Sequence, residues 1–171
     1  MLNIFKKKKR VKACIIKNRL HKFLKLKNNN LILGNFPKFE NSQIKFNGSN
    51  NILFCDEDVI LKNTTIKFNG SNSIVFLKTG TYYFELNVHN NSTVYFGTQN
   101  YFNLYGNRSR IFLSEEKNLF VGNSNCFSFD LFFRTADPHL IYDTSTHKRI
   151  NHSKSVYIGD HVWIGQNVTI L

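Results

Sequence analysis

Proline occurs twice in 171 residues, cysteine three times and tryptophan once. Cys14, Cys55 and Cys126 are odd in number, widely spaced and free of any CxxC arrangement. That argues against a disulfide framework or a zinc site and suits a reducing compartment. Cys55 and Cys126 read as small apolar fillers. No apolar run approaches the ~20 residues of a membrane span, and "ACII" is too short for the core of a signal peptide. These absences point to a cytoplasmic protein. Helical periodicity is essentially missing between residues 41 and 135, and no long linker interrupts the chain. Acidic residues are missing altogether from residues 1–27, which hold eleven Lys/Arg, whereas the rest of the chain carries twelve basic and eleven acidic side chains. The net charge of +12 is therefore a property of an N-terminal arm (1–30), and the body (31–171) is nearly neutral.

The arm interleaves Leu, Ile and Phe with Lys. A helix from Lys12 to Lys27 would put Ile15, Ile16, Leu20, Phe23 and Leu24 on one side, the pattern of an interfacial helix. Two readings stand side by side. In one, residues 1–27 make a weak contact with an anionic membrane surface, leaving the protein peripheral to the inner membrane. In the other, they form a solvated arm with no partner. A nucleic-acid partner is not expected, because such a binder would carry cations across its folded body as well.

What the body does contain is repetition. "IKFNGSNNILF" (44–54) recurs as "IKFNGSNSIVF" (66–76), 22 residues on, and fainter echoes follow as "NNSTVYF" (90–96) and "NRSRIFL" (107–113). Each unit is a polar Asn/Gly/Ser corner followed by a short β-prone run, with strands expected at 52–54, 74–77, 94–96 and 111–113. A repeat near 20 residues implies a solenoid. Toward the C-terminus the period tightens. Ile158, Ile164 and Ile170 are six apart, as are Val121, Phe127 and Phe133, with Gly159, Gly165 and Gly122 in phase. Period six is neither helical nor simple alternation. It fits a parallel β-helix with one inward residue per hexapeptide. The pattern lapses from 134 to 157, so this segment reads as a loop thrown out from the solenoid, the usual place for a site.

The loop opens with "RTADPHLIYD" (134–143) and is followed by "KSVYIGDHVWIGQNVTIL" (154–171). These stretches resemble the hexapeptide-repeat acyltransferases, and within them the bacterial O-acetyltransferases of sialic acid and capsular polysaccharide. The resemblance is dense over 119–171 and architectural upstream. It implies a left-handed parallel β-helix, acetyl-CoA as donor and a hydroxyl of a sialic acid, capsule or lipooligosaccharide sugar as acceptor. It also implies a homotrimer with sites in clefts between subunits. His139 falls on the family's catalytic histidine and Trp163 on its active-site tryptophan. Arg134, Asp137, Tyr142, Asp143 and His161 match the motif as substrate-binding or orienting candidates. The chemistry is consistent: a neutral imidazole can take the proton of an attacking hydroxyl, and Asp137 or Asp143 is a candidate partner for its other nitrogen. No His/Asp cluster has metal-site spacing, so no metal is expected.

Three departures from the family qualify the expectation. The upstream repeat spacing drifts from 22 to 20 to 17 residues, so the early coils read as irregular. Phe127, Phe129, Phe132 and Phe133 stand where Ile or Val is usual, implying wide coils or outward rings. The chain also stops at Leu171 in mid-rung, which suggests missing C-terminal coils. An alternative follows, a truncated and catalytically inactive β-helix relative acting as a structural or binding module.

Overall fold

A computed structural model describes the backbone of residues 12–16 and 19–171 and the side chains from Leu24 onward. The fold is the all-β parallel β-helix that the hexads fit, left-handed as the resemblance implies. Strands β1 (Lys12–Ile16) and β2 (Arg19–Lys25) come first, then a short 3-10 turn at Lys27–Asn29. Six turns of three strands follow among the described residues. They are β3 (Leu31–Gly34), β4 (Lys38–Glu40) and β5 (Gln43–Phe46); β6 (Ile52–Cys55), β7 (Val59–Lys62) and β8 (Thr65–Phe68); and β9 (Ile74–Leu77), β10 (Gly80–Tyr82) and β11 (Phe84–Val88). The next three are β12 (Thr93–Phe96), β13 (Tyr101–Phe102) and β14 (Ser109–Leu113); β15 (Leu119–Val121), β16 (Cys126–Phe127) and β17 (Phe132–Arg134); and β18 (Val156–Ile158), β19 (Trp163–Ile164) and β20 (Thr169–Ile170). The first strand of every turn joins the first face, and the third strand joins the third face. The second face is split into the sheets β4-β7-β10 and β13-β16-β19.

Strand register explains both sequence periods. Ile44 pairs with Ile66, Phe46 with Phe68 and Ile52 with Ile74, so the 22-residue repeat stacks residue on like residue. The hexads mark the three faces of one turn. Val121 pairs with Ile158, Phe127 with Ile164 and Phe133 with Ile170. The fainter echoes resolve differently from their spacing. "NNSTVYF" contributes β12 to the first face, but "NRSRIFL" contributes β14 to the third, and Val94 instead stacks on Leu119. The 17-residue step from Val94 to Ile111 is therefore a change of face, while the turns themselves are uneven, with first-face partners 22 residues apart at Leu53 and Val75, 19 at Val75 and Val94 and 25 at Val94 and Leu119.

Corners are held by side-chain ladders. Asn30 Oδ1 accepts from the backbone N–H of Asn51, and Asn51 Oδ1 accepts from that of Ser73. Asn51 Nδ2 also donates to Gly70 O at 2.9 Å. Higher up, Asn100 Oδ1 accepts from Asn125 N–H and Asn125 Oδ1 from Val162 N–H. These buried amides satisfy backbone groups that the strands cannot reach, which is costly to leave undone. Asn50, Asn72 and Asn91 all have φ between 52° and 60°, the left-handed region that Asn tolerates. At the same corners Gly48 and Gly70 lie so close to the following turn that a Cβ would collide with its backbone.

The interior is aromatic through its middle. Tyr82, Phe84, Phe96, Phe102 and Phe127 form one mutually packed cluster, with Phe133 against Phe127. The Tyr82 hydroxyl is satisfied by Lys78 O at 2.7 Å. The two expectations for the Phe-rich turns both hold in part. Phe127 and Phe133 fill a wide interior, while Phe129 and Phe132 are half-buried near the surface. Cys55 is a buried filler, its thiol pushed up to about 12 by burial. Cys126 is not a filler; it is exposed on β16.

The expected helix over 12–27 is not formed. β1 and β2 pair antiparallel, and β2 pairs antiparallel with β3, extending the first face. An open sheet edge offers backbone partners that an isolated amphipathic helix lacks, and the Ile and Phe content of the segment is compatible with strand. The expected membrane contact of the arm depends partly on residues 1–11 and 17–18, which lie outside the described residues. No helix among the described residues is long and apolar enough to cross a membrane.

Phe96→Ala, which empties the centre of the aromatic cluster, is expected to destabilise the fold by about 3–5 kcal/mol. Phe36→Ala, at a side chain 45% exposed, is expected to change stability by no more than about 0.5 kcal/mol. Chemical denaturation of the two variants beside the parent checks both.

Candidate functional site

Residues 135–155 connect β17 to β18 where ordinary corners take a handful of residues. The excursion leaves from the corner between the third and first faces and is tied down at its base. Lys154 N–H donates to Thr135 O at 3.1 Å, and Asn118 N–H to Ser155 Oγ at 3.0 Å. Thr135 Oγ1 accepts from Ser114 N–H and donates to Ser114 O, bonding the loop to the turn below. Arg149 grips Glu115 with both terminal nitrogens, each at 2.9 Å, the bidentate geometry that makes arginine–carboxylate pairs strong and directional. Beyond its base the loop is a miniature hairpin, with Tyr142 bridged to Arg149 and Ile150 N–H bonded to Ile141 O.

His139 projects from this hairpin. Its side chain is 86% exposed. The backbone N–H of His139 donates to Asp137 Oδ1 at 2.8 Å, and its ring Nδ1 lies 3.1 Å from the same oxygen. Asn151 Nδ2 holds the carbonyl of His139 at 2.7 Å. The His139 N–H, helped by the ring contact and the Arg134 guanidinium, holds the Asp137 carboxyl below its usual range. An ionised carboxylate only accepts hydrogen bonds. In this contact Nδ1 must therefore carry the proton, leaving the Nε2 lone pair of a neutral imidazole free. Of the two carboxylates the sequence offered as orienting partners, Asp137 has this geometry.

Asp143 does other work. Its Oδ1 accepts from Ser145 N–H, Ser145 Oγ, Thr146 N–H and Thr146 Oγ1, closing the tip of the hairpin. The Ser145 hydroxyl first, then the Thr146 groups, hold its carboxyl down to about 2. Tyr142 is an exposed loop residue. Arg134, at the end of β17, lies with its guanidinium 5.8 Å from the centre of the Phe112 ring. His147 and His152 face solvent, and so does His89 on its corner. Among the described residues no group of His, Cys, Asp or Glu could hold a metal ion.

Trp163 and His161 sit elsewhere. Trp163 begins β19 on the second face and is 79% exposed. Its register partner is Cys126, which in turn pairs with Tyr101, giving an outward row Tyr101–Cys126–Trp163. His161 occupies the corner before it at φ 57°, its N–H bonded to Asn123 O. In a coil of three faces, a corner between the third and first faces lies across the prism from the second face. The fold therefore brings Asp137 and His139 together and leaves Trp163 apart from them.

Sequence reasoning missed one cluster. On the third face Glu85 binds Lys67 at 2.5 Å and Arg108 at 3.0 Å. Arg108 also reaches Asn63 O, 45 residues earlier in the chain. Glu85, Arg108 and Asn63, with Tyr83, Arg110 and Asp130, line an open cavity of about 610 Å³. Its members come from several turns, and only the alternation of charged and apolar residues along β8, β11 and β14 hinted at a common face.

No family model matches the chain. It is similar to a polysialic acid O-acetyltransferase of Neisseria meningitidis, with 30% identity over 144 residues, 84% of this chain and 56% of the relative. It is also similar to a polysialic acid O-acetyltransferase of Escherichia coli O1:K1 / APEC, with 34% identity over 59 residues, 34% of this chain and 19% of the relative. The chain thus spans about half the length of the first of these relatives and a smaller part of the second. Among solved structures, the polySia-specific acetyltransferase NeuO superposes with a TM-score of 0.70 at 28% identity, covering 78% of this chain and 62% of that one. The polysialic acid O-acetyltransferase OatWY superposes with a TM-score of 0.61 at 21% identity, covering 78% and 68%.

The depressed Asp143 carboxyl sets a pH signature for the hairpin tip. Its hydrogen bonds contribute order above the unfolded carboxylate value of about 3.9 and are lost as pH falls through about 2. The amide resonances of Ser145 and Thr146, followed by NMR on acidification, are expected to shift with a midpoint near 2. A midpoint near the unfolded value would show that the carboxylate does not hold the turn.

Proposed function

We propose that this chain, a relative of the hexapeptide-repeat acetyltransferases across most of its length, moves an acetyl group from acetyl-CoA to a hydroxyl of polysialic acid or a similar surface polysaccharide. The observation that carries the reading is the Asp137–His139 pair, held on a pinned loop within the motif resembling that family. The names of the similar proteins supply the acceptor class.

The reaction follows from the pair. A sugar hydroxyl is barely ionised near neutral pH. As its oxygen attacks the thioester carbonyl, Nε2 of His139 takes its proton, help worth roughly 10²- to 10⁴-fold. Asp137 fixes the tautomer and faces the imidazolium that forms, stabilising it electrostatically. The tetrahedral intermediate then collapses, the carbon–sulfur bond breaks, and Nε2–H returns the proton to the departing sulfur. The products are an acetyl ester and free CoA, with no covalent enzyme intermediate. This suits Cys55, the one buried thiol among the described side chains, which burial pushes up to about 12 and so makes a poor nucleophile.

Trp163 and His139 belong to one site in this reading, and a second copy of the chain joins them. Placement on opposite sides of a single prism supports a homotrimer whose clefts take the loop from one subunit and the second face from the next. Self-association is also supported by the first face. Its outward row Leu33, Phe54, Phe76, Tyr95, Phe120 and Tyr157 is apolar from turn to turn, with Phe54 and Phe76 stacked at 4.2 Å and Phe120 and Tyr157 at 5.4 Å. Arg134 and His161 are expected to contact substrate, and Tyr142 to line the loop side of the cleft.

The test is CoA release from acetyl-CoA with oligosialic acid as acceptor. His139→Ala is expected to lower the rate at least about 10²-fold, and Asp137→Asn to lower it by less and alter its pH profile. Equal rates for the parent and His139→Ala would overturn the assignment of the base.

A further inference from the structure

We propose that the outer surface of the third face, from β5 to β17, is a docking track for a linear polyanionic glycan that leads toward the loop bearing His139. The link to acetyl transfer rests on the function proposed above; the binding surface itself does not.

Side chains alternate across a strand, so register fixes which residues share the outside. Lys45 lies beside Lys67, Lys67 beside Asn87, Asn87 beside Phe112 and Phe112 beside Arg134. The neighbouring row runs Gln43, Thr65, Glu85, Arg110 and Phe132, with Arg108 entering from the corner before β14. Five cations thus project on one face of a body whose overall charge is close to zero. Two carboxylates share the face: Glu85 is bound by Lys67 and Arg108, and Asp130, which accepts from Asn107 Nδ2, lines the cavity, so the five cations less these two leave a surplus of three positive charges. Lys45 and Arg110 are exposed and have no carboxylate partner among the described residues.

Two of the cations are already oriented. The Arg110 guanidinium lies 5.2 Å from the centre of the Phe132 ring, and Arg134 lies 5.8 Å from that of Phe112. An arginine resting on an aromatic ring loses less freedom when it takes a carboxylate. Between Arg108 and Arg110 opens the cavity of about 610 Å³, large enough for a sugar carboxylate and part of its ring. From β5 to β17 is four inter-strand steps of ~4.8 Å, or roughly 19 Å, room for several residues of an extended chain. Beyond Arg134 the backbone runs directly into Asp137 and His139, and the Arg134 guanidinium is near enough to help keep the Asp137 carboxyl ionised.

The test measures binding of fluorescent oligosialic acid to the full chain without acetyl-CoA. The track variant is Lys45→Ala/Arg110→Ala. A charge-matched variant, Lys7→Ala/Lys8→Ala, controls for the basic arm, and a single-stranded DNA of equal charge controls for the type of polyanion. The expected result is about a tenfold or greater loss of glycan affinity for the track variant alone, with melting temperature unchanged. Unchanged affinity, equal losses in both variants, or a larger loss for DNA than for the glycan would each overturn the proposal. Failure of acetyl transfer with this binding pattern intact would overturn the chemistry and leave the track standing.

Discussion

Every turn of this chain depends on its neighbour for its backbone hydrogen bonds. A short parallel strand satisfies nothing within itself; its N–H and C=O groups are met only by the turns above and below. Corners face the same demand without strands, and here buried Asn30, Asn51, Asn100 and Asn125 bridge the gap. Once one turn is laid in register on the next, the facing of every side chain is fixed. The inward positions become the aromatic core, and the outward ones become an apolar row on the first face and a cationic surface on the third.

The same constraint makes the loop informative. A coil that must stack in register can expel extra residues only at a corner, and 135–155 leave where the third face meets the first. Rigid turns beneath hold its base through Thr135 and Arg149. An imidazole that is almost wholly exposed can still have a defined ring orientation, because its neighbour Asp137 binds both the backbone and the ring of His139. Under the proposed function, that exposure makes the loop one half of a cleft whose aromatic half, Trp163, lies on another face.

Much of this was legible in the sequence. Ile44 and Ile66 announced their stacking by simple repetition, and Ile158, Ile164 and Ile170 marked three faces by period six. The motif around His139 singled out the loop. Elsewhere local pattern failed where long-range pairing decided the outcome. "NRSRIFL" looked like another copy of the first-face unit, but the following turn holds 25 residues between register partners Val94 and Leu119. The segment from Lys12 scanned as an amphipathic helix, yet an available sheet edge made it strand. Cys126 read as a filler because its alternation is set by the turn register, which places Phe127 inside and the thiol outside beside Trp163. Asp143 and Asp137 were equivalent candidates on paper; the hairpin tip takes one and the histidine the other.

The central claim is that His139 of one copy works with Trp163 of another. Co-expression of His139→Ala with Trp163→Ala tests it directly. Each variant alone is expected to be inactive. Randomly mixed closed assemblies are expected to recover about a quarter of the parent's acetyl-transfer rate, the fraction of clefts that receive both intact residues. A co-expressed mixture no more active than either variant alone would contradict the shared site.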